Sequence, residues 1–144
     1  DAYGRFGWVN SGRQRATAQR WVGELRVKCQ DAGQAIGQLS GGNQQKVALA
    51  RLLEHPARIF LLDEPTRGID VGAKAEIHQL MRKLAGEGMA ILMISSELPE
   101  VLGMSDRVLV MNGGRIIGEF DKDHATAEAV GTVMTRSMAR EDAA

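Results

Sequence analysis

The sequence predicts an α/β fold, a mostly parallel sheet flanked by helices, and three observations carry that reading. Two short, continuously apolar runs, Ile59-Phe60-Leu61-Leu62 and Met89-Ala90-Ile91-Leu92-Met93-Ile94, have the character of strands buried on both faces, as in a parallel sheet. Between them a segment from about Ala73 to Gly86 repeats apolar residues at helical spacing, as an inward-facing helix does. The first run delivers Asp63-Glu64-Pro65 at its end, and ligands of open α/β sheets collect at the carboxyl ends of strands.

In chain order, residues 1–12 mix glycine and aromatics without a period and read as a loop or frayed lead-in. From Arg13 to Lys28, Ala16, Trp21, Val22 and Leu25 form an apolar stripe, with Arg13, Arg15, Arg20 and Arg26 on the wet side of an amphipathic helix. Residues 29–38 are a polar connection. A second helix is expected from about Gly42 to Glu54, with Val47, Leu49, Ala50, Leu52 and Leu53 as its apolar stripe, Ser40 as its cap and Pro56 as its stop. Thr66-Arg67-Gly68-Ile69-Asp70 is turn-rich and leads into the 73–86 helix, where Ile77, Leu80, Met81 and Leu84 point inward. After the second strand come Ser95-Ser96-Glu97 and a short helix from Leu98 to Met104, with Pro99 in its first turn. Arg107–Met111 and Arg115–Phe120 flank Asn112-Gly113-Gly114, a hairpin signal. The tail from Ala125 to Ala139 is helical, with Ala129, Val130, Val133, Met134 and Met138 apolar.

At 144 residues the chain is long enough for one domain with a real core. Its formal charge is zero, but residues 1–50 carry seven Lys/Arg against three Asp/Glu and residues 51–144 carry eleven against fifteen. That asymmetry is too mild for a nucleic-acid footprint, and at 4% aromatics there is little to stack bases on. Cys29 is the single cysteine, so no internal disulfide can form, which fits a reducing compartment such as the cytosol. No apolar stretch is long enough to span a bilayer, and the start at Asp1 lacks both a methionine and a signal-peptide pattern. The expectation is a piece of a longer chain.

The chemistry is concentrated in two stretches. Leu39-Ser40-Gly41-Gly42-Asn43-Gln44-Gln45-Lys46-Val47 places a glycine pair at the opening of a helical pattern. A helix N-terminus leaves unpaired backbone N–H groups and the positive end of a dipole, and glycine lets bare backbone approach a phosphate because it has no side chain. Adjacent carboxylates at the end of a buried strand, Asp63 and Glu64, suit Mg²⁺ shared with phosphates. Ser-Gly-Gly alone is a common turn, and two acids alone are ordinary surface residues. It is their order and spacing, turn then helix then acidic strand end, that reads as nucleotide chemistry. The other phosphate cradle, a G-x-x-x-x-G-K-[ST] loop, occurs nowhere in residues 1–144, so the chain reads as half of a motor domain.

These residues, with Ile59 to Lys74, closely resemble the ATP-binding cassette ATPases, a P-loop NTPase family. Within it the chain is most similar to the second cassette of bacterial monosaccharide importers of the ribose, galactose and xylose type. The Asn43-Gln44-Gln45-Lys46 continuation, Arg67-Gly68-Ile69-Asp70-Val71-Gly72 and Ser95 to Arg107 carry that narrower likeness. The resemblance implies a partial cassette over 1–144: a helical signature region at about 13–56, a Walker B, D-loop and switch core at about 57–120, and a C-terminal helix at about 121–144. It makes Leu39, Ser40, Gly41, Gly42, Asn43 and Gln44 the signature motif, which clasps the γ-phosphate of an ATP held by the opposite cassette. It makes Asp63 the Walker B residue that orients Mg²⁺, Glu64 the group that polarises the attacking water, and Asp70 a D-loop residue at the dimer seam. Ser96 occupies the switch position where many cassettes carry histidine. A serine hydroxyl donates one hydrogen bond and brings no cationic imidazole to the transferring phosphate, which counts against hydrolysis at this half's own site.

The resemblance further implies a nucleotide-binding subunit that powers sugar import with ATP and Mg²⁺. Its partners would be a second cassette and membrane permease subunits, with a periplasmic sugar-binding protein involved only indirectly and no nucleic acid. The location would be cytoplasmic, peripheral on the inner face of the cell membrane. The parent would be an ATPase, while the 144-residue chain by itself is expected to be inactive. Two other readings stand beside this one: a cassette used outside transport, in translation or DNA repair, and a nonenzymatic domain whose signature activates another subunit. His55, His78 and His124 have no partner at ligand spacing and read as structural or solvent-facing. The methionines read as gap-filling core, Trp21 as a packed residue, and Trp8 as an interface residue left bare. Strand faces such as Ile91, Leu92 and Ile94 are expected to be exposed, inviting association.

Overall fold

The structure is a computed structural model that describes residues 4, 5 and 8–141, with side chains described over 10–135. It divides into two compact units, one formed by residues 1–61 and 65–92 and the other by 62–64 and 93–144.

The first unit opens with two-residue strands, β1 (Gly4–Arg5) and β2 (Trp8–Val9), paired antiparallel with Gly4 opposite Val9. A short pairing thus replaces part of the expected lead-in loop, while the side chain of Trp8 lies outside the described residues. Helix α1 (Ser11–Glu24) starts where Asn10 accepts the N–H of Arg13 on Oδ1 at 3.0 Å, an N-cap that satisfies one orphan donor. It ends four residues before the expected boundary at Lys28. Leu25 and Val27 are apolar two residues apart, a spacing that does not keep one helix face, and Arg26 takes a positive φ of 50°. The chain turns back there, and Leu25 and Val27 bury against Ala50, with Trp21, Val22, Val47 and Leu53 packed around them. Ala16 is exposed, so the inward stripe of α1 is narrower than its composition suggests.

Helix α2 (Gly41–Leu53) buries Gly42, Lys46, Leu49 and Ala50, and Leu52, expected inward, is exposed. Helix α3 (Val71–Gly86) buries Ile77, Met81 and Leu84 as its periodicity requires. Strands β3 (Ile59–Asp63) and β4 (Ala90–Ile94) pair with each other. The N–H of Ala90 donates to the carbonyl of Arg58 and that of Glu64 to the carbonyl of Ile94, both at 2.9 Å, so the strands run in the same direction with α3 as their crossover. The expectation of strands buried on both faces does not hold in this chain. Phe60 and Leu62 are buried, but Ile59 and Leu61 are 64% and 72% exposed; Leu92 and Ile94 are exposed, as expected of that strand face, while Ile91 is half-buried.

In the second unit, helix α4 (Leu98–Met104) carries Pro99 in its first turn, where the missing N–H costs nothing. Strands β5 (Arg107–Asn112) and β6 (Arg115–Asp121) form the expected hairpin. Gly113 and Gly114 sit at φ 53° and 74°, the positive pair a tight hairpin turn needs. Helix α5 (Ala127–Glu141) places Val130 on Val108 and Val110, with Leu98, Val101, Phe120 and Val133 completing that core. Thr126 caps it, accepting the N–H of Ala129 on Oγ1 at 3.1 Å. The side chain of Met138 lies outside the described residues.

Candidate functional site

The residues singled out in the sequence fall into two groups, one in each unit. In the first unit, Leu39 is half-buried, Ser40 and Gly41 are exposed, and Gly42 is buried. Ser40 occupies the N-cap position of α2 in an extended conformation, yet its side chain makes no cap bond. Instead its Oγ accepts the side-chain amide of Asn43 at 2.8 Å, because Asn43 lies three residues on and reaches back over the turn. Asn43 Oδ1 accepts the backbone N–H of Lys28 at 2.8 Å, and Gln44 Nε2 donates to the carbonyl of Leu39 at 2.8 Å. The polar side chains of Asn43 and Gln44 are therefore spent on shaping the turn, and Ser40 and Gly41 are left exposed at its tip.

Asp70 is the N-cap of α3, accepting the N–H of Ala73 on Oδ1 at 2.9 Å. That hydrogen bond holds the Asp70 carboxyl below the ordinary aspartate range. The same region packs on the glycine turn. A Cβ built on Gly42 would come 2.4 Å from the Cβ of Ala73 and 3.8 Å from Oδ2 of Asp70, and one on Gly41 would lie 3.7 Å from the carbonyl oxygen of Gly68. Neither glycine of the pair has a positive φ. Gly42 is required for the approach of α2 to α3, a role the sequence reading, which assigned both glycines to phosphate approach, did not separate.

In the second unit, Asp63 is exposed and Glu64 half-buried at the carboxyl end of β3. Glu64 has φ 47°, a left-handed conformation that is uncommon for a residue with a side chain and that concentrates at functional positions. Its Oε1 accepts the backbone N–H of Ser96 at 2.8 Å. The amide of Ser96, rather than its hydroxyl, thus orients this carboxylate. The segment that carries Ser96 is anchored on either side. Ser95 Oγ donates to Oε2 of the buried Glu100 at 2.5 Å and accepts the N–H of Glu97 at 3.1 Å.

Ser95 and Glu100 were not singled out by sequence, although a carboxylate in the first turn of α4 is a recognisable signal. Lys46 was also missed. It lies one turn after Gly42 on the buried face of α2, and that placement was visible in the periodicity. Among the described residues no cluster of three or more His, Cys, Asp or Glu forms a metal cage. An Mg²⁺ ion needs none, since it commonly takes one or two carboxylates plus phosphates and water, and the exposed Asp63 carboxylate fits that donor set. His124, expected without a partner, pairs through Nδ1 with Asp121 Oδ1 at 2.5 Å on the surface. A separate cavity of about 460 Å³, lined by Trp21, Val22, Val27, Val47 and Glu54 among others, opens along a different face of α2. Among the described residues no helix is long and apolar enough to cross a membrane.

Comparison with known proteins agrees with this geometry. The family model described as ABC transporter matches residues 5–67. The chain is 50% identical to a ribose import ATP-binding protein of Rhodococcus jostii over 96% of its own length, and 54% identical to another of Rubrobacter xylanophilus over 90%. It spans 27% and 25% of those two relatives. Among solved structures, a nucleotide-free ATP-binding cassette of an ABC transporter superposes with TM-score 0.71 at 25% identity, covering 90% of this chain and 50% of that one. A dimeric ATP-binding cassette bound to ADP and phosphate gives TM-score 0.68 at 24% identity, covering 82% and 51%. The glycine turn on α2, the acidic end of β3 and these likenesses converge: residues 5–67 match the ABC transporter family, and most of the chain is similar to part of the ribose import ATP-binding proteins.

Proposed function

We propose that the chain supplies the signature turn and the Walker B strand of a nucleotide-binding subunit that drives sugar import with ATP. The observation that carries this reading is the exposure of Ser40 and Gly41 at the N-terminus of α2, in a turn shaped by Asn43 and Gln44, whose side chains are already hydrogen-bonded. Such a turn presents N–H groups and a helix dipole to an anion, so it grips a triphosphate held by a second cassette. The names of the ribose-import relatives support the sugar.

At the other group, Glu64 would act on the attacking water only in a longer protein whose cassette also carries its own phosphate loop, which is why its substitution here should leave the stimulation of a partner's site intact. With Oε1 occupied by the Ser96 amide, Oε2 is the oxygen that accepts a water proton, and the fixed orientation supplies the positioning that phosphoryl transfer chiefly requires. Asp63 would hold Mg²⁺, which when bound neutralises charge on the phosphates. Asp70, at the cap of α3, faces the seam with the second cassette. Permease subunits complete the assembly, which places the protein on the inner face of the cell membrane.

The experiment mixes this chain with a sugar-import cassette that carries its own G-x-x-x-x-G-K-[ST] loop and measures ATP hydrolysis. Stimulation that Ser40→Arg abolishes and Glu64→Gln on this chain preserves is the expected result. An absence of stimulation, or stimulation indifferent to Ser40→Arg, refutes the grip. The chain alone is expected to turn over no ATP; turnover that disappears with Glu64→Gln would show a complete site instead.

A further inference from the structure

We infer that Lys46 is a positioning residue: its buried ammonium pins the Ser40–Gln44 turn to the Gly68–Asp70 loop, so that the two move as one body. The inference rests on the reading of that turn as a triphosphate grip and concerns what aims it.

The Lys46 side chain is 5% exposed. Burying an ammonium is costly unless it is paired and hydrogen-bonded, and here both conditions are met. Nζ forms an ion pair with the Glu76 carboxylate of α3 and donates to the carbonyl oxygen of Arg26 at 3.1 Å. Glu76 is itself 42% exposed, and the hydrogen bond from Lys46 holds its carboxyl below the ordinary glutamate range.

The placement of the pair gives it leverage. Lys46 follows Gly42 by four residues and Glu76 follows Ala73 by three, so the charges meet about one helical turn beyond the close contact of Gly42 with Ala73. Two contacts a turn apart stop α2 from sliding or rolling on α3, where one would act as a pivot. The third segment joins at the same ammonium: Arg26 gives its carbonyl to Lys46, and two residues on, Lys28 gives its N–H to Asn43 within the turn. The ammonium therefore ties together stretches that converge on the exposed turn, and it ties them to the helix that Asp70 caps. An apolar side chain would provide cohesion there equally well, since buried ion pairs are often replaceable without loss of stability. What an apolar residue cannot supply is a directional link, and the register of α2 on α3 needs one.

Backbone hydrogen exchange on the 144-residue chain, resolved by residue, tests the pin without nucleotide. Lys46→Met is expected to speed exchange at Gln44 and Ala73 by about ten-fold or more while changing amides of α1 and of Met81–Leu84 by less than about two-fold. Lys46→Arg is expected to keep the parent pattern, and Glu76→Gln, altered on the more exposed partner, to reproduce Lys46→Met in a chain that still carries the lysine. In the mixture with an intact cassette, Lys46→Met should raise the ATP concentration for half-maximal stimulation and leave the maximum in place. Unchanged exchange, or acceleration spread evenly over α1, α2 and α3, overturns the pin. If Ser40→Arg abolishes stimulation while Lys46→Met alters neither exchange nor ATP dependence, the pin fails and the grip stands. If Lys46→Met loosens the turn locally while Ser40→Arg leaves stimulation intact, the pin stands and the nucleotide role of the turn fails.

Discussion

Substituting Gly42 by alanine should destabilise the protein, although alanine is the better helix former. A Cβ at residue 42 would lie 2.4 Å from the Cβ of Ala73, whereas carbon atoms in ordinary contact stand about 3.5–4.0 Å apart. The two helices must therefore separate by more than about 1 Å, and the ion pair of Lys46 with Glu76 a turn away resists that movement. Overpacking of this kind costs typically about 1–3 kcal/mol. Against it stands the propensity gain of Gly→Ala, at most about 1 kcal/mol and smaller in a first turn. The net expectation is a loss of about 1–2 kcal/mol, or a melting temperature lower by about 3–7 °C.

Thermal and urea unfolding followed by circular dichroism reads this directly, and two companion variants identify the cause. Gly41→Ala meets nothing closer than 3.7 Å and should match the parent. Ala73→Gly removes the opposing methyl, so Gly42→Ala with Ala73→Gly should be more stable than the sum of the single changes by about 1 kcal/mol or more. A Gly42→Ala chain as stable as the parent would falsify the packing argument, and so would a double variant with no coupling.

Two further outcomes rest on named contacts. Asp70 has its carboxyl held below the ordinary range by the Ala73 N–H, so its stabilising effect is complete above the unfolded-state value of roughly 3.9 and is lost as pH falls through the lower folded-state value. Asp70→Asn, whose amide oxygen still caps, should flatten the acid limb of the melting curve, and an unaltered limb would remove Asp70 from the account. Glu54→Ala deprives Trp21 Nε1 and Arg20 of the carboxylate oxygen that both contact at 2.7 Å. It should shift tryptophan emission to the red and cost about 1–3 kcal/mol; emission that stays put would show that this hydrogen bond does not set the ring's surroundings.

Much of the fold was legible because its signals are local. The Asn112-Gly113-Gly114 turn demands positive φ where glycine stands, and the period of Ile77, Met81 and Leu84 places α3 within two residues of its start. What was not legible depends on partners distant in sequence. Leu25 continues the apolar content of α1 but belongs to the turn that covers Ala50, and no count of apolar residues distinguishes those uses. The exposed faces of Ile59 and Leu61 likewise reflect what packs on the strand, which its composition does not encode. At the candidate site, the acids at the end of β3 were visible as residue types. The contact that aims Glu64 comes from the backbone of Ser96, and a backbone group leaves no mark in the choice of side chain.

The glycine pair shows how one motif can hold two physical requirements. Gly41 is exposed, with ordinary van der Waals room around the position of a side chain, while Gly42 is buried and has none. A methyl at Gly41 would stand between the turn and any anion approaching its amides, yet would leave α2 seated on α3. A methyl at Gly42 would lift α2 off α3 and carry the turn with it, away from the loop ending at Asp70. Loss of ATP-dependent stimulation should thus come by different routes: Gly41→Ala with a parent-like melting curve, Gly42→Ala with a lowered one. Because Ala73→Gly relieves only the second, it should restore stimulation to Gly42→Ala and do nothing for Gly41→Ala. Equal rescue of both would mean that the turn's position on α3, and not its bare amides, is all that the glycines provide.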